Sequence, residues 1–501
     1  MLETLLYNSI WILPLLTTLL CVPIPREKEK LIKNVHLFSG FLVLGIAVYL
    51  TIQLYFLSLA SPVQGSVSVL RFVTELPWLQ AINAHYFIGA DGLSMLMVLL
   101  TAVVVFTGML VSLNIGKGSK EFFALIQILG TSIYGVFMSF DLVLFFIFYE
   151  MEAVCMYLMI AGWGSGKKDY GGKKLTLTLA LGSAMILAVF FGIHVESGIH
   201  SWNILELAQV KLPETFQMWA FPILFMGFAV SGSLFPFHFW SPDGHSAAPT
   251  AVSMLAAGVM MKMGTYGILR IAIYLMPEGA RFALPYLVYL TIFNVVLAAF
   301  IAVRHKDLKY ITAYSSISHL GLIFLGIAAL TPVSLRGAAL QMLSHGFLTA
   351  LFFAAVGMIY SRTHTRNILE MGGLMKQIPF IGVAFVIAGF AGLGLPGFSG
   401  FIAEITIFIG SFENTSPVFR LITILAVLSI TTTAIYILQT ANRMLNGALP
   451  GRFAAITDAG PGEKTVLVLL ILCLLGLGLF PAPVSDFLDS SLAPILENLK
   501  R

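Results

Sequence analysis

Apolar residues run through this chain in blocks of about 20, the length a helix needs to cross a hydrocarbon core of roughly 30 Å. Fourteen such windows lie near 5–24, 34–57, 92–113, 122–140, 142–163, 174–194, 216–237, 250–276, 284–303, 310–330, 335–360, 378–412, 418–445 and 465–483. Lipid offers a backbone amide no partner, so each window must satisfy its own and is predicted to be a helix. The pattern predicts an all-α polytopic membrane protein. The first window follows Glu3 with no basic residue before it and is longer than a secretory leader core, so it is expected to be a retained helix.

The polar residues between the windows set an orientation. Loops after the first, third, fifth, ninth, eleventh and thirteenth windows hold 19 of the 28 Lys and Arg residues, among them Arg26, Lys33, Lys120, Lys168, Arg304, Arg362 and Arg443. The positive-inside rule makes that face cytoplasmic and puts both termini on the opposite side. The loop after the seventh window falls on the same face without a Lys or Arg, which predicts a segment tucked into the protein.

Composition agrees with this class. Of 501 residues, 58% are hydrophobic and 10% charged, and the mean hydropathy is +0.93. A soluble domain this apolar would aggregate. A net charge of +4 with scattered bases argues against a nucleic-acid surface. Cys21, Cys155 and Cys473 lie singly in apolar runs and form neither a disulfide framework nor a paired-cysteine site.

Two windows are interrupted at matching places. The seventh ends in Ser231-Gly-Ser-Leu-Phe-Pro236-Phe-His238, and the twelfth is cut by Gly392-Leu-Gly-Leu-Pro396-Gly-Phe-Ser-Gly400. Either could be an ordinary proline kink. Their correspondence predicts two inverted five-helix repeats with a site at the breaks. The expected organisation is residues 1–121 as helices 1–3, 122–276 as one repeat, 284–447 as the other, and 465–501 as helix 14 with its tail.

Ionisable residues inside the windows carry the candidate chemistry. A charge at membrane depth costs about 2.5–3.5 kcal/mol on insertion scales, so Glu150, Lys262 and Glu404 point to an ion or proton pathway, against the plainer reading of a static buried ion pair. Glu150 and Glu152 are about 200° apart on one helix and cannot face the same cavity. Thr312, Ser315 and His319, with Gln341, Ser344 and His345, form stripes that face a bundle interior, as relays or as interhelical hydrogen bonds. Asp243, His245, Asp307 and Lys309 are expected near the interface in solvated or structural roles.

Five strings together resemble one family. They are Phe148-Tyr-Glu150-Met-Glu152-Ala-Val-Cys-Met-Tyr157, the run from Pro236-Phe-His238-Phe-Trp240 to Pro249-Thr250, Leu255-Ala-Ala-Gly-Val-Met-Met-Lys262, Asp307-Leu-Lys309 through His319, and Gly394-Leu-Pro396 through Glu404. This is the pattern of the antiporter-like membrane subunits of complex I. The resemblance implies fourteen helices, a proton half-channel in each repeat, and proton-transfer roles for Glu150, Lys262, His319, His345 and Glu404. Glu404 points to the M-type branch, since the L-type, N-type and Mrp antiporter branches usually carry lysine there. The helix 7 lysine of the family, seven residues before His238, is replaced here by Ser231.

The resemblance further implies a proton-translocating subunit of an NADH-quinone oxidoreductase in a bacterial inner membrane, beside L-like and N-like neighbours. It implies no cofactor in this chain, with flavin, iron–sulfur clusters and quinone in partner subunits. A Mrp-type cation/proton antiporter subunit and a non-pumping spacer are the other readings, the latter supported by Ser231.

Overall fold

The computed structural model describes residues 1–60 and 70–500. Residues 61–69 of the expected segment 1–121, and residue 501 of 465–501, lie outside them. The chain opens with α1 (Leu2–Cys21) and α2 (Glu29–Ala60), followed by an antiparallel hairpin of β1 (Arg71–Leu79) and β2 (Ala84–Ala90). Next come α3 (Gly92–Val111), α4 (Ser119–Met138), α5 (Leu142–Trp163), α6 (Lys168–Glu196), the single turn α7 (Ile204–Leu207), α8 (Glu214–Ser231) and α9 (Trp240–Ala247). Then follow α10 (Thr250–Ile273), α11 (Pro277–Leu287) and α12 (Tyr289–Arg304). The remainder is α13 (Leu308–Ala328), α14 (Pro332–Thr363), α15 (Pro379–Gly392), α16 (Ser399–Glu413), α17 (Pro417–Leu445), α18 (Pro461–Leu479) and α19 (Pro481–Asn498).

Among the described residues, 11 helices are long and apolar enough to cross a membrane, or up to 12 if α11 and α12, bent by 44°, are one span. The two windows not counted, 216–237 and 378–412, are the interrupted ones. The hairpin and α19 were not expected. Pro77 and the mixed polarity of residues 71–90 hide the strands, and α19 is too polar to register as an apolar window.

The breaks have their own stabilising contacts. After Ser231 the chain turns through Ser233 at φ +53°, and its freed backbone is met by one side chain. Asn294 of α12 accepts from Phe235 N at 2.7 Å and donates to Ser233 O at 2.9 Å. Irregular backbone at membrane depth is tolerated when protein satisfies it in this way. Between α15 and α16, Gly394 and Gly397 take φ of +63° and +97°, which side chains rarely adopt. A Cβ on Gly400 would sit 2.2 Å from Ala391 O, so only glycine lets the second half-helix pack this close.

One pattern occurs twice along the chain. Asp141 caps α5, accepting from Val143 N and Leu144 N, and bridges to Asn203. Asp307 caps α13, accepting from Lys309 N and Tyr310 N, and bridges to Asn367. The reciprocal main-chain bonds match as well: Leu142 N to Trp202 O and Ile204 N to Phe140 O in one, Leu308 N to Arg366 O and Ile368 N to Lys306 O in the other, all 2.9 Å. The spacings are 307 − 141 = 166 and 367 − 203 = 164 residues.

The loop that lacked Lys and Arg is held inside. Lys174 pairs with Asp243, Tyr310 donates to Asp243 at 2.7 Å, and Arg366 donates to Ser246 O at 2.6 Å. Two cations and a phenol borrowed from other elements do what the loop's own sequence cannot.

Candidate functional site

Three helices form the centre: the apolar spans of α10 and α14 are 100% buried and that of α13 is 94% buried, against 28% for α1. Polar residues on the inner three therefore face protein rather than lipid. Lys262 of α10 is completely buried. Its helix carries π turns at Ala256–Met260 and Ile268–Ile273, and the Lys262 ammonium donates to the carbonyl of Ala257 inside the first. A π turn widens the helix and leaves such a carbonyl available.

From Lys262 the ionisable side chains run as a file. His345 of α14 lies within electrostatic range of both Lys262 and His319, and the rings of His319 and His345 are 5.6 Å apart. His319 Nδ1 is 3.3 Å from Glu404 Oε1, with Glu404 only 4% exposed. Hydroxyls line the file: Ser344 Oγ and Ser399 Oγ are 2.8 Å apart, and Tyr436 donates to Ser315 Oγ at 2.8 Å. Imidazoles that both accept and donate, set between an amine and a carboxylate, make a route along which a proton can pass.

The file extends further than the sequence indicated. His245 and Lys309, expected near the interface, are 1% and 3% exposed. Lys309 donates to Ala248 O, and His245 stacks on Phe353 at 5.0 Å within electrostatic range of Lys309 and Lys262. His245 is an inner member because the tucked loop carries it in, and Lys309, in the first turn of α13, reaches that loop at Ala248 O. Asp243 and Asp307 keep structural roles, the one paired to Lys174 and the other capping α13 and pairing with Arg366 at 3.2 Å. The absence of local bases around His245 was the available signal.

The first half is arranged differently. Glu150 is half-buried and Glu152 is 1% exposed, on different faces of α5. Neither has a Lys, Arg or His within ion-pair distance among the described residues. Ser231 is 1% exposed beside Tyr149 and donates to Met260 O at 3.5 Å. A buried ion pair lies elsewhere, between Arg270 of α10 and Asp91, the cap of α3, with Phe140 and Tyr266 rings under the guanidinium. Asp91 gave no sequence signal, because its partner is 179 residues away. Among the described residues no group of three His, Cys, Asp or Glu is arranged to hold a metal ion.

Comparison with known proteins follows the same lines. Residues 139–429 match the model for the NADH:quinone oxidoreductase/Mrp antiporter transmembrane family. The NAD(P)H-quinone oxidoreductase chain 4 of Gloeobacter violaceus is 34% identical over 97% of this chain and 93% of its own length. Chain 4 1 of Synechococcus elongatus is 36% identical over 96% and 90%. A chain of respiratory complex I from Thermus thermophilus superposes with a TM-score of 0.86 at 27% identity, over 98% of this chain and 99% of that one. A chain of the Mrp complex from a Dietzia species gives 0.86 at 21% identity over 99% and 98%, a likeness of fold.

Proposed function

Because the chain belongs to the NADH:quinone oxidoreductase/Mrp antiporter transmembrane family, we propose that it is the chain 4, or M-type, proton-translocating subunit of a complex I-like NADH-quinone oxidoreductase. The observation that carries this reading is the buried file Lys262, His345, His319, Glu404, closed by the 3.3 Å contact of His319 with Glu404. Redox energy released in partner subunits moves protons along it by changing which of these groups is charged. In the file Lys262 stores a proton, the two histidines relay it, and Glu404 receives it. Flavin, iron–sulfur clusters and quinone belong to those partners, and L-like and N-like subunits flank this one.

The matched Asp141/Asn203 and Asp307/Asn367 motifs support two repeats, 122–276 and 284–447, of opposite orientation within fourteen spans. The chain sits in a bacterial inner membrane with both termini on the non-cytoplasmic side. In the first repeat Glu150 and Ser231 occupy the positions of the family's glutamate and lysine, without the cation.

Proton-to-electron stoichiometry in sealed vesicles holding the whole complex tests this. Glu404→Gln, which keeps the shape but not the charge, is expected to lower the ratio. An unchanged ratio would leave the spacer reading standing, and sodium-dependent transport would favour the antiporter.

A further inference from the structure

The loss of the helix 7 lysine leaves Glu150 without the cation that the family sets opposite it, yet α5 supplies a second carboxylate that the family comparison does not use. Glu152 is 1% exposed, and its Oε1 has no hydrogen-bond partner in the protein. A buried, unpaired carboxylate costs several kcal/mol if ionised, so such a group is retained where its proton is put to use.

Its surroundings point one way. Phe148, one turn earlier on the same face, lies against Gly135 of α4, where an added Cβ would come within 2.2 Å of its ring, and 5.8 Å from Trp11 of α1. Glu152 is thereby turned inward toward α1 and α4. Tyr149 reaches from α5 to the site of the missing lysine: its ring packs at 6.1 Å from Phe228 of α8, and its hydroxyl is beside Ser231 Oγ. Tyr149 and Glu152 are three residues apart on α5, the spacing that sets two side chains next to each other on a helix surface. Ser231 in turn donates to Met260 O across the seam between α8 and α10.

We propose that Glu152, Tyr149 and Ser231 form a neutral proton relay that replaces the glutamate–lysine pair of the first repeat, with Glu152 as its proton-binding residue. This rests on the proton-translocating function proposed above. The carboxylic acid of Glu152 gives its proton to the Tyr149 oxygen, the Tyr149 proton passes to Ser231 Oγ, and the Ser231 proton passes to a water at the α8–α10 seam. One proton leaves Glu152, one is gained by that water, and each hydroxyl ends as it began. The net step leaves Glu152 as a carboxylate and the water as a hydronium, so charge changes only at the two ends and both hydroxyls stay neutral.

The test uses the whole complex in sealed vesicles with Glu152→Gln, Glu150→Gln, Tyr149→Phe and Glu404→Gln. Expected are a lower proton-to-electron ratio in both Glu152→Gln and Tyr149→Phe, and loss of a protonated-carboxyl C=O band from redox-induced infrared difference spectra in Glu152→Gln but not in Glu150→Gln. Native ratio and spectrum in Glu152→Gln, with a lowered ratio in Glu404→Gln, would overturn the relay and leave the function intact. Native ratios in both would overturn both. If Glu152→Gln does not assemble, Tyr149→Phe decides, because it keeps the ring packing and removes only the hydroxyl: a native ratio there overturns the relay.

Discussion

His319 Nδ1 of α13 and Glu404 Oε1 of α16 stand 3.3 Å apart, at the point where the interrupted span brings the second half-helix against the bundle. The other carboxylate oxygen is held in place by an absence of bulk: a Cβ on Gly394 would lie 2.6 Å from Glu404 Oε2. Gly394→Ala should therefore displace the carboxylate, and in addition cost about 1–2 kcal/mol for the left-handed backbone. Gly397→Ala carries backbone strain too, at φ +97°, but meets nothing within 4 Å. The ratio of protons to electrons is expected to fall in Gly394→Ala toward that of Glu404→Gln and to hold in Gly397→Ala. Equal behaviour of the two glycine variants would show that strain, and not the carboxylate's position, matters.

The Arg270–Asp91 pair ties the second π turn of α10 to the first turn of α3 in a buried site. Removing one partner of such a pair strands the other charge and costs about 3–5 kcal/mol, whereas replacing both with apolar groups is often neutral. Asp91→Asn should lower the thermal midpoint of the assembled complex, and Asp91→Asn combined with Arg270→Met should recover much of it. A double variant as unstable as the single one would mean that the guanidinium's contacts with Phe140 and Tyr266 carry the stability instead.

What could be read from the sequence was what repeats along a helix or is punctuated by glycine and proline. The apolar windows, the two breaks, and the stripe containing His319 and the pair Ser344/His345 are local patterns, and the structure buries them as expected. Asn294 and Asp91 act through partners far away in the chain, and a lone Asn or Asp in an apolar run announces none of them. The Asp-Leu and Asn-Ile pairs at 141/203 and 307/367 were in plain view. They are too short to stand out until the bridges between them are seen. The loop of His245 reads as tucked in from its lack of bases, but what holds it there lies elsewhere in the chain, in the polar contacts that Lys174, Tyr310 and Arg366 supply.

Outside the spans, Glu370 links the segment after α14 to Arg452 before α18. Hydrogen bonds from Asn367 at 3.0 Å, Thr365 at 3.1 Å and Arg452 at 3.2 Å hold its carboxyl below the ordinary range. A depressed carboxylate contributes stability that is present above its unfolded pKa and lost as pH falls through the folded value. Mild acid should thus lower the thermal midpoint of the native complex more than that of Glu370→Gln, which has no charge to lose. Parallel curves for the two proteins across that range would remove Glu370 from the acid response.

Ser231→Lys returns the family's cation to the seam between α8 and α10, where the serine is 1% exposed beside Tyr149 and the Met260 carbonyl. A lysine there gains a carboxylate partner on α5 in place of the hydroxyl relay, so the two devices should substitute for each other. Residues that act through one path show non-additive effects, and a double-mutant cycle measures the interaction. Ser231→Lys alone is expected to leave the proton-to-electron ratio near native. Combined with Glu152→Gln, it should restore a ratio that Glu152→Gln alone lowers, because Glu150 then has its ammonium and Glu152 is no longer required. A double variant as low as Glu152→Gln would mean that the first repeat cannot use a lysine at this position, and that serine marks a route closed to charge rather than one rebuilt around a carboxylic acid.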